Sequence, residues 1–282
     1  MDYNKEELFD KIERLKVEKI GGTVVTKYND NVIRTVSVSP IYEVFDIVKY
    51  LKDKISLIEN NFTIKEYGLR IKGGIQYLQL YSDEITIGGK KFIKMFNILN
   101  STDKTRKLSF NTGLYCVSDN YFLVSGGSDV SLTKRHTTGV TNFAETASES
   151  LNGETFNEQV ESLDSLVGHK VAFSKVRELI LGDKEEIPQI NHKKFDSFRN
   201  AIYWDIQEGL SDDNRKVLCT KSTYLKTVEK KDDFYIDAFN VLRTYLRLFK
   251  KEDSSIIKNE TERIMKITQS AVRNDLLEML GI

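Results

Sequence analysis

Between Phe62 and Val130 the chain reads as a succession of short strands. Candidate strands cover Phe62–Ile71, Ile75–Tyr81, Glu84–Ile87, Lys91–Leu99, Lys107–Cys116 and Asn120–Val124, with turns at Gly73-Gly74, Gly88-Gly89, Ser101–Lys104 and Ser118-Asp119. Apolar and polar residues alternate through Ile75-Gln76-Tyr77-Leu78-Gln79-Leu80-Tyr81 and again through Phe92–Leu99. A period of two sends successive side chains to opposite faces of a sheet, a pattern that no helix satisfies. The expected product is a half-buried antiparallel meander, with one face packed on helices and the other facing solvent.

Helical patterns flank the meander. Residues 3–19 carry Leu8, Ile12 and Leu15 at helical spacing, and Gly21-Gly22 supplies a stop. Thr23–Tyr28 and Val32–Val38 form a predicted hairpin around Asn29-Asp30-Asn31, because Asn and Asp tolerate the left-handed backbone of a tight turn. A second helix is expected from Ser39-Pro40, a capping serine followed by proline at the first helical position, to Asn60-Asn61. After about residue 140 the pattern turns helical, over Glu154–Leu181 with Gly168 as a kink, Phe195–Leu210, Ala238–Phe249 and Ser255–Met279. Ala144–Leu151 is ambiguous, Gly182–Gln189 reads as a charged linker and Ser211–Asp233 as a polar stretch. The expected fold class is α+β: an antiparallel β-sheet core with helices packed on one face, and a helical C-terminal half. Residues 1–145 would form the sheet region, and residues 146–282 a mostly helical region that can pack on the same core.

Forty-two Lys and Arg balance 42 Asp and Glu over 282 residues, so the net charge is zero. A basic field over the whole surface is thereby excluded, and any polyanion binding has to come from local clustering or from assembly of several chains. Cys116 and Cys219 lack Cys-x-x-Cys spacing, and His136, His169 and His192 stand apart from them and from each other. Neither a metal site nor a disulfide framework is expected. The glycine pairs lack the Gly-Lys-Ser/Thr ending of a phosphate-binding loop, and the aspartate pairs Asp212-Asp213 and Asp232-Asp233 sit in polar stretches. No apolar run approaches the roughly 20 residues that cross a bilayer, and the charged N-terminus has no apolar signal core. The expectations are no cofactor, no metal, no complete catalytic motif, no membrane partner and a reducing cytoplasmic setting.

The stretch most able to carry chemistry is Ser109–Gly139. Two β-rich pieces around Gly126-Gly127 lead into the basic triplet Lys134-Arg135-His136, followed by Thr137, Thr138 and Gly139. Lys is a point charge, Arg a forked donor, and the hydroxyls and the Gly139 amide add hydrogen bonds, a set suited to an anionic backbone. A second basic set comprises Arg70, Lys72, Lys90, Lys91 and Lys94, with Lys104, Arg106 and Lys107 in the following turn. Tyr77, Tyr81, Tyr115 and Tyr121 are interleaved and could stack bases while the cations follow the backbone. The plainer alternative is a solvated loop and an ordinary sheet whose edge lysines discourage edge pairing.

The segment Asn111-Thr112-Gly113-Leu114-Tyr115-Cys116-Val117-Ser118-Asp119-Asn120, followed by Lys134-Arg135-His136-Thr137-Thr138-Gly139, resembles the phage- and plasmid-associated DUF932 family. That family carries G-x-x-R-x-x-C-S-N-G on a strand, then a stretch ending in a basic residue, His and Gly. Gly113, Cys116, Ser118 and Asn120 correspond to the first pattern, although the Arg position is not kept and Asp119 is inserted before Asn120. Lys134-Arg135-His136 through Gly139 is the better half of the match, and the resemblance spans roughly residues 40 to 180. It implies a mobile-element origin and, by analogy with annealing proteins that pair a β-meander with a long helix, an oligomer acting on single-stranded DNA.

Two functions follow as expectations. One is a non-enzymatic, phage- or mobile-element-encoded protein that binds or anneals single-stranded DNA in replication or recombination, as a homo-oligomer. The other is a phage structural or anti-defence protein that contacts a host protein through apolar helix faces, such as the one ending in Leu276-Leu277-Glu278-Met279-Leu280.

Overall fold

The computed structural model describes residues 3–119, 121–124, 131–150, 153–181, 189–206, 211–219, 234–249, 251–258 and 261–267. The first apolar pattern divides between a helix and a strand. In α1 (Lys5–Glu13) the Asn4 side chain accepts from the Glu7 amide, and Leu8 and Ile12 are buried. From Leu15 the apolar residues alternate with Lys16 and Glu18, and β1 (Leu15–Ile20) forms where the helix was expected to continue. Gly21, at φ 58°, turns the chain into β2 (Thr23–Tyr28) rather than closing a helix. β3 (Asn31–Ser37) completes a three-stranded sheet, and Asn29 and Asp30 adopt φ 52° and 61° in the turn, as a hairpin of the primed type requires.

The second helix starts later than Ser39-Pro40. In α2 (Ile47–Asn61) the Asp46 carboxylate accepts from the Val48 and Lys49 amides at 3.0 Å each, which makes Asp46 the cap. Residues 38–46 run instead as an irregular strap with Tyr42 and Phe45 buried. Then come β4 (Glu66–Lys72), β5 (Ile75–Ile87), β6 (Lys90–Ser101) and β7 (Leu108–Cys116), each antiparallel to the one before. β5 merges two expected strands, the break between them absorbed by a register shift from Tyr81 to Glu84. β8 (Tyr121–Val124) pairs with Gly113–Cys116, and β9 (Ser131–Lys134) with Leu108–Asn111, so both lie along β7 rather than pairing with each other. Gly126 and Gly127 fall outside the described residues.

The expected Glu154–Leu181 helix is broken. After α3 (Val140–Ser150), α4 (Gly153–Asp164) ends in a turn where Gly168 takes φ 80° and its amide donates to the Asp237 carboxylate at 2.8 Å. β10 (Lys170–Ala172) follows because Val171 pairs with Ile236 of β11 (Tyr235–Asp237), and only then does α5 (Phe173–Leu181) begin. α6 (Gln189–Ile206), α7 (Asp212–Cys219) and α8 (Ala238–Phe249) are the remaining helices among the described residues. The described part of Ser255–Met279 is not helical. β12 (Lys251–Lys258) and β13 (Thr261–Ile267) form an antiparallel pair, and β13 runs parallel to β8. Ile256, Ile257, Ile264 and Ile267 are β-branched and suit a pleated surface better than a helix. Leu276–Leu280 lies outside the described residues.

The large sheet has the order β12-β13-β8-β7-β6-β5-β4, and β12 comes within 8 Å of β4, so its two ends approach each other. This curl removes the solvent-facing side that the alternation led one to expect, and all nine residues of β7 are buried. On the outer face Leu78, Phe96, Ile98 and Phe110 share a core with residues of α1, α2 and α3. Farther along that face Ile87, Phe92, Leu114 and Cys116 pack with Leu163, Phe173, Phe198 and Phe239, so helices beyond residue 145 cover the same sheet. The inner face holds Tyr81, Met95 and Tyr115 and a row of amides, Gln79, Asn97 and Asn111, in register on β5, β6 and β7. No described helix is long and apolar enough to cross a membrane.

Candidate polyanion-binding end of the sheet

Strand register decides which basic residues meet. Lys134 pairs with Leu108 across β9 and β7. Arg135 and Lys107, one residue outward on each strand, therefore leave the ladder together, roughly 5 Å apart by antiparallel spacing. Lys104, Arg106 and Lys107 belong to the turn from β6 to β7. The Thr102 amide of that turn donates to the Gly74 carbonyl at 2.7 Å, and the Thr102 hydroxyl to the same oxygen at 3.1 Å, which fixes the β4–β5 turn and Lys72 beside it. Three loops thus bring Lys72, Lys104, Arg106, Lys107, Lys134 and Arg135 to one end of the sheet. All are exposed except Lys134, which is half-buried.

None of these six has an ion-pair partner among the described residues. The acids at this end are already engaged. Asp103 accepts from the Ser101 hydroxyl at 2.6 Å and the Thr105 amide at 3.1 Å and lies 3.5 Å from Arg34. Burial pushes its carboxyl pKa up, but those hydrogen bonds and the Arg34 charge outweigh burial and leave it below the ordinary aspartate value. Glu43 Oε2 accepts from the Gly139 and Val140 amides at 2.9 and 3.1 Å and so caps α3. The Gly139 amide, expected to meet a phosphate, is taken by this carboxylate.

His136 also departs from the expected outward-facing triplet. It is 5% exposed, and its ring stacks on Tyr42 at a centroid distance of 5.5 Å and an interplanar angle of 23°. Burial lowers its pKa from the ordinary histidine value, with the Glu43 backbone pulling the other way. Thr137 is half-buried and its amide folds back on the Arg135 carbonyl at 2.8 Å. Of the triplet, Lys134 and Arg135 are left facing outward.

Other basic candidates lie elsewhere. Arg70, opposite Tyr77 on β4, is half-buried on the inner face two residues before Lys72. Lys91 stands at the far end beside the Gly88-Gly89 turn, roughly 30 Å from Ser101 at the strand rise per residue, and pairs with Glu84 at 2.7 Å. Lys94 points to the outer face, where its ammonium donates to Asn157 of α4 at 3.4 Å. Tyr77, Tyr81 and Tyr115 are 8%, 2% and 1% exposed, so their rings serve the core rather than a base. Tyr121 opens β8 opposite Cys116. Reading from sequence missed Arg34, Tyr42 and Glu43. They are single polar or aromatic residues in a strand and a strap, and only tertiary contact gives them a role. Among the described residues no group of His, Cys, Asp and Glu could hold a metal ion.

No protein-family model matches the chain, and neither a curated protein nor a solved structure matches it. The resemblance to DUF932 rests on the quoted residues alone.

Proposed function

We propose that this chain binds the backbone of single-stranded nucleic acid at the loop end of its large sheet. The observation that carries this reading is the convergence of six outward cations from three loops on a chain of zero net charge, where the neighbouring acids are engaged. Clustered like charges repel, and a polyanion relieves that repulsion. Arg106 and Arg135 offer forked donors and the lysines offer point charges, so binding positions a strand without reading its sequence. A single strand bends to follow three separate loops, whereas duplex DNA is stiff over about 150 base pairs. The DUF932 resemblance suggests the setting, replication or recombination of a phage or other mobile element, with self-assembly aligning several such ends.

Fluorescence anisotropy with labelled single-stranded and duplex DNA, over a range of salt, tests the reading. For single strands the slope of log affinity against log salt is expected to fall by about 0.7 for each phosphate contact removed. The pair Lys134→Ala and Arg135→Ala lowers it, Arg106→Ala and Lys107→Ala lower it further, and Lys91→Ala leaves it alone. Absence of binding at low salt, or an unchanged slope in the fourfold variant, overturns the proposal.

The second reading, a phage structural or host-interaction protein, is favoured by Trp204 and Tyr235, which are 70% and 66% exposed on α6 and β11. Exposed aromatics are enriched where proteins meet. Co-purification with one host protein, lost on Trp204→Ala, would support it.

A further inference from the structure

A buried imidazole sits at the root of the cationic loop. His136 lies between Arg135 and Thr137, yet it is buried; neither ring nitrogen makes a well-aligned hydrogen bond, and the backbone of Glu43 is the one polar group that acts on the ring against burial. Tyr42, on which it stacks, is itself fixed. The Tyr42 hydroxyl donates to the Ser101 carbonyl at the end of β6 at 3.1 Å, and the Lys19 ammonium donates to the Tyr42 carbonyl at 2.7 Å. Glu43 ties the same loop twice, through its amide to the His136 carbonyl at 3.3 Å and through its carboxylate to the Gly139 and Val140 amides. Residues 136–139 are therefore docked on the 38–46 strap; the pairing of β9 with β7 places Lys134, and the docking holds Arg135, which leaves that ladder beside Lys107.

We propose that this docking is proton-sensitive: neutral His136 holds the loop down, and protonation of its imidazole releases the loop after β9 and withdraws Arg135 from the cationic end. The idea rests on the reading of that end as a polyanion site and adds its regulation. The charged and titratable groups on the elements that hold the loop are Tyr42 and Glu43 of the strap, Lys19, which donates to the Tyr42 carbonyl, Asp103, which acts on the Tyr42 phenol, and Lys134 and Arg135 of the loop itself. Glu43 is committed to the α3 amides and Asp103 to Arg34, Ser101 and Thr105, so neither is placed to serve as a counter-ion. Burial of the Tyr42 phenol, with Asp103 nearby, pushes its pKa up to about 12, so it stays neutral throughout.

The sign follows from linkage. Burial sets the docked pKa of His136 below the ordinary histidine value, so the released loop binds more protons than the docked one. Docking has its full stability above the ordinary histidine range and loses it as pH falls below about 6.5.

Two readouts on the full chain test this without nucleic acid. NMR titration of the His136 ring protons is expected to show it titrating below the ordinary histidine value. Hydrogen exchange over residues 134–144, corrected for intrinsic rates, is expected to show protection falling roughly threefold or more from pH 7.5 to 5.5. His136→Phe keeps a ring for the stack and cannot titrate, so its protection holds across the range; His136→Met serves if the Phe variant does not fold. Flat protection in the wild type, an equal fall in the non-titrating variant, or a His136 pKa at or above 6.5 overturns the proposal. Because neither readout involves DNA, a protein that shows the switch but binds no nucleic acid would sink the functional reading and leave the switch standing.

Discussion

Where β5 turns into β6, Lys91 lies 2.7 Å from Glu84, Lys94 donates to Asn157, and Arg243 and Arg247 approach Asp119 at 3.2 and 3.9 Å. At the opposite end of the same strands six cations have no ion-pair partner among the described residues. Helices account for the difference. α4 and α8 cover the first end, and the Arg243 and Asp119 side chains there are 5% and 8% exposed. A charge taken out of water needs a counter-charge, whereas an exposed lysine on a loop needs none. The outcome records what covers each end rather than how many basic residues the sequence places there.

The largest effect is expected where burial imposes pairing. Asp119→Ala leaves Arg243 buried without this carboxylate and is expected to cost about 3–5 kcal/mol in denaturant unfolding. A loss below about 1 kcal/mol, the range of exposed pairs, would erase the contrast between the two ends.

A smaller effect separates two glycines with nearly the same backbone. Gly88 and Gly73 have φ of 54° and 58°, one in the turn at each end. A Cβ on Gly73 meets open space, but on Gly88 it would lie 2.6 Å from the Phe239 ring, itself buried at 3% exposure. Gly73→Ala is expected to cost about 1 kcal/mol of backbone strain alone. Gly88→Ala adds an overpacking cost and is expected to reach about 3 kcal/mol. Equal losses in thermal or denaturant unfolding would show that α8 does not press on the far turn.

Local signals were legible wherever neighbours in sequence settle the structure. The alternation of Ile75–Tyr81, the left-handed pair Asn29-Asp30 and the apolar stripe of Ala238–Phe249 all became the expected elements. The start of α2 was misplaced because Ser39 and Asp46 compete as caps, and Asp46 reaches two amides. β10 could not be read, since Val171 becomes a strand only by meeting Ile236 far along the chain. The site divides in the same way. Lys134, Arg135, Arg106 and Lys107 are visible as basic residues, but their convergence depends on the pairing of Leu108 with Lys134. His136 looks like a third cation in the sequence, and its burial comes from Tyr42, a residue of a different segment. Tyr77, Tyr81 and Tyr115 look like base-stacking rings in the sequence, but the curl of the sheet encloses them.

The smallest stability effect belongs to the cationic end and discriminates most between structure and function there. Lys107→Ala and Arg135→Ala remove exposed side chains with no ion-pair partner among the described residues, so each is expected to change unfolding free energy by no more than about 0.5 kcal/mol. Any change is expected to be stabilising and strongest at low salt, because each substitution relieves repulsion from the neighbouring cations. If the cations are structural, the same substitutions destabilise the protein and added salt does not alter the loss. If they are kept for a polyanion, the variants stay as stable as the wild type while their affinity for single strands falls. The joint outcome, stability held and affinity lost, is what a binding end predicts and a structural one does not.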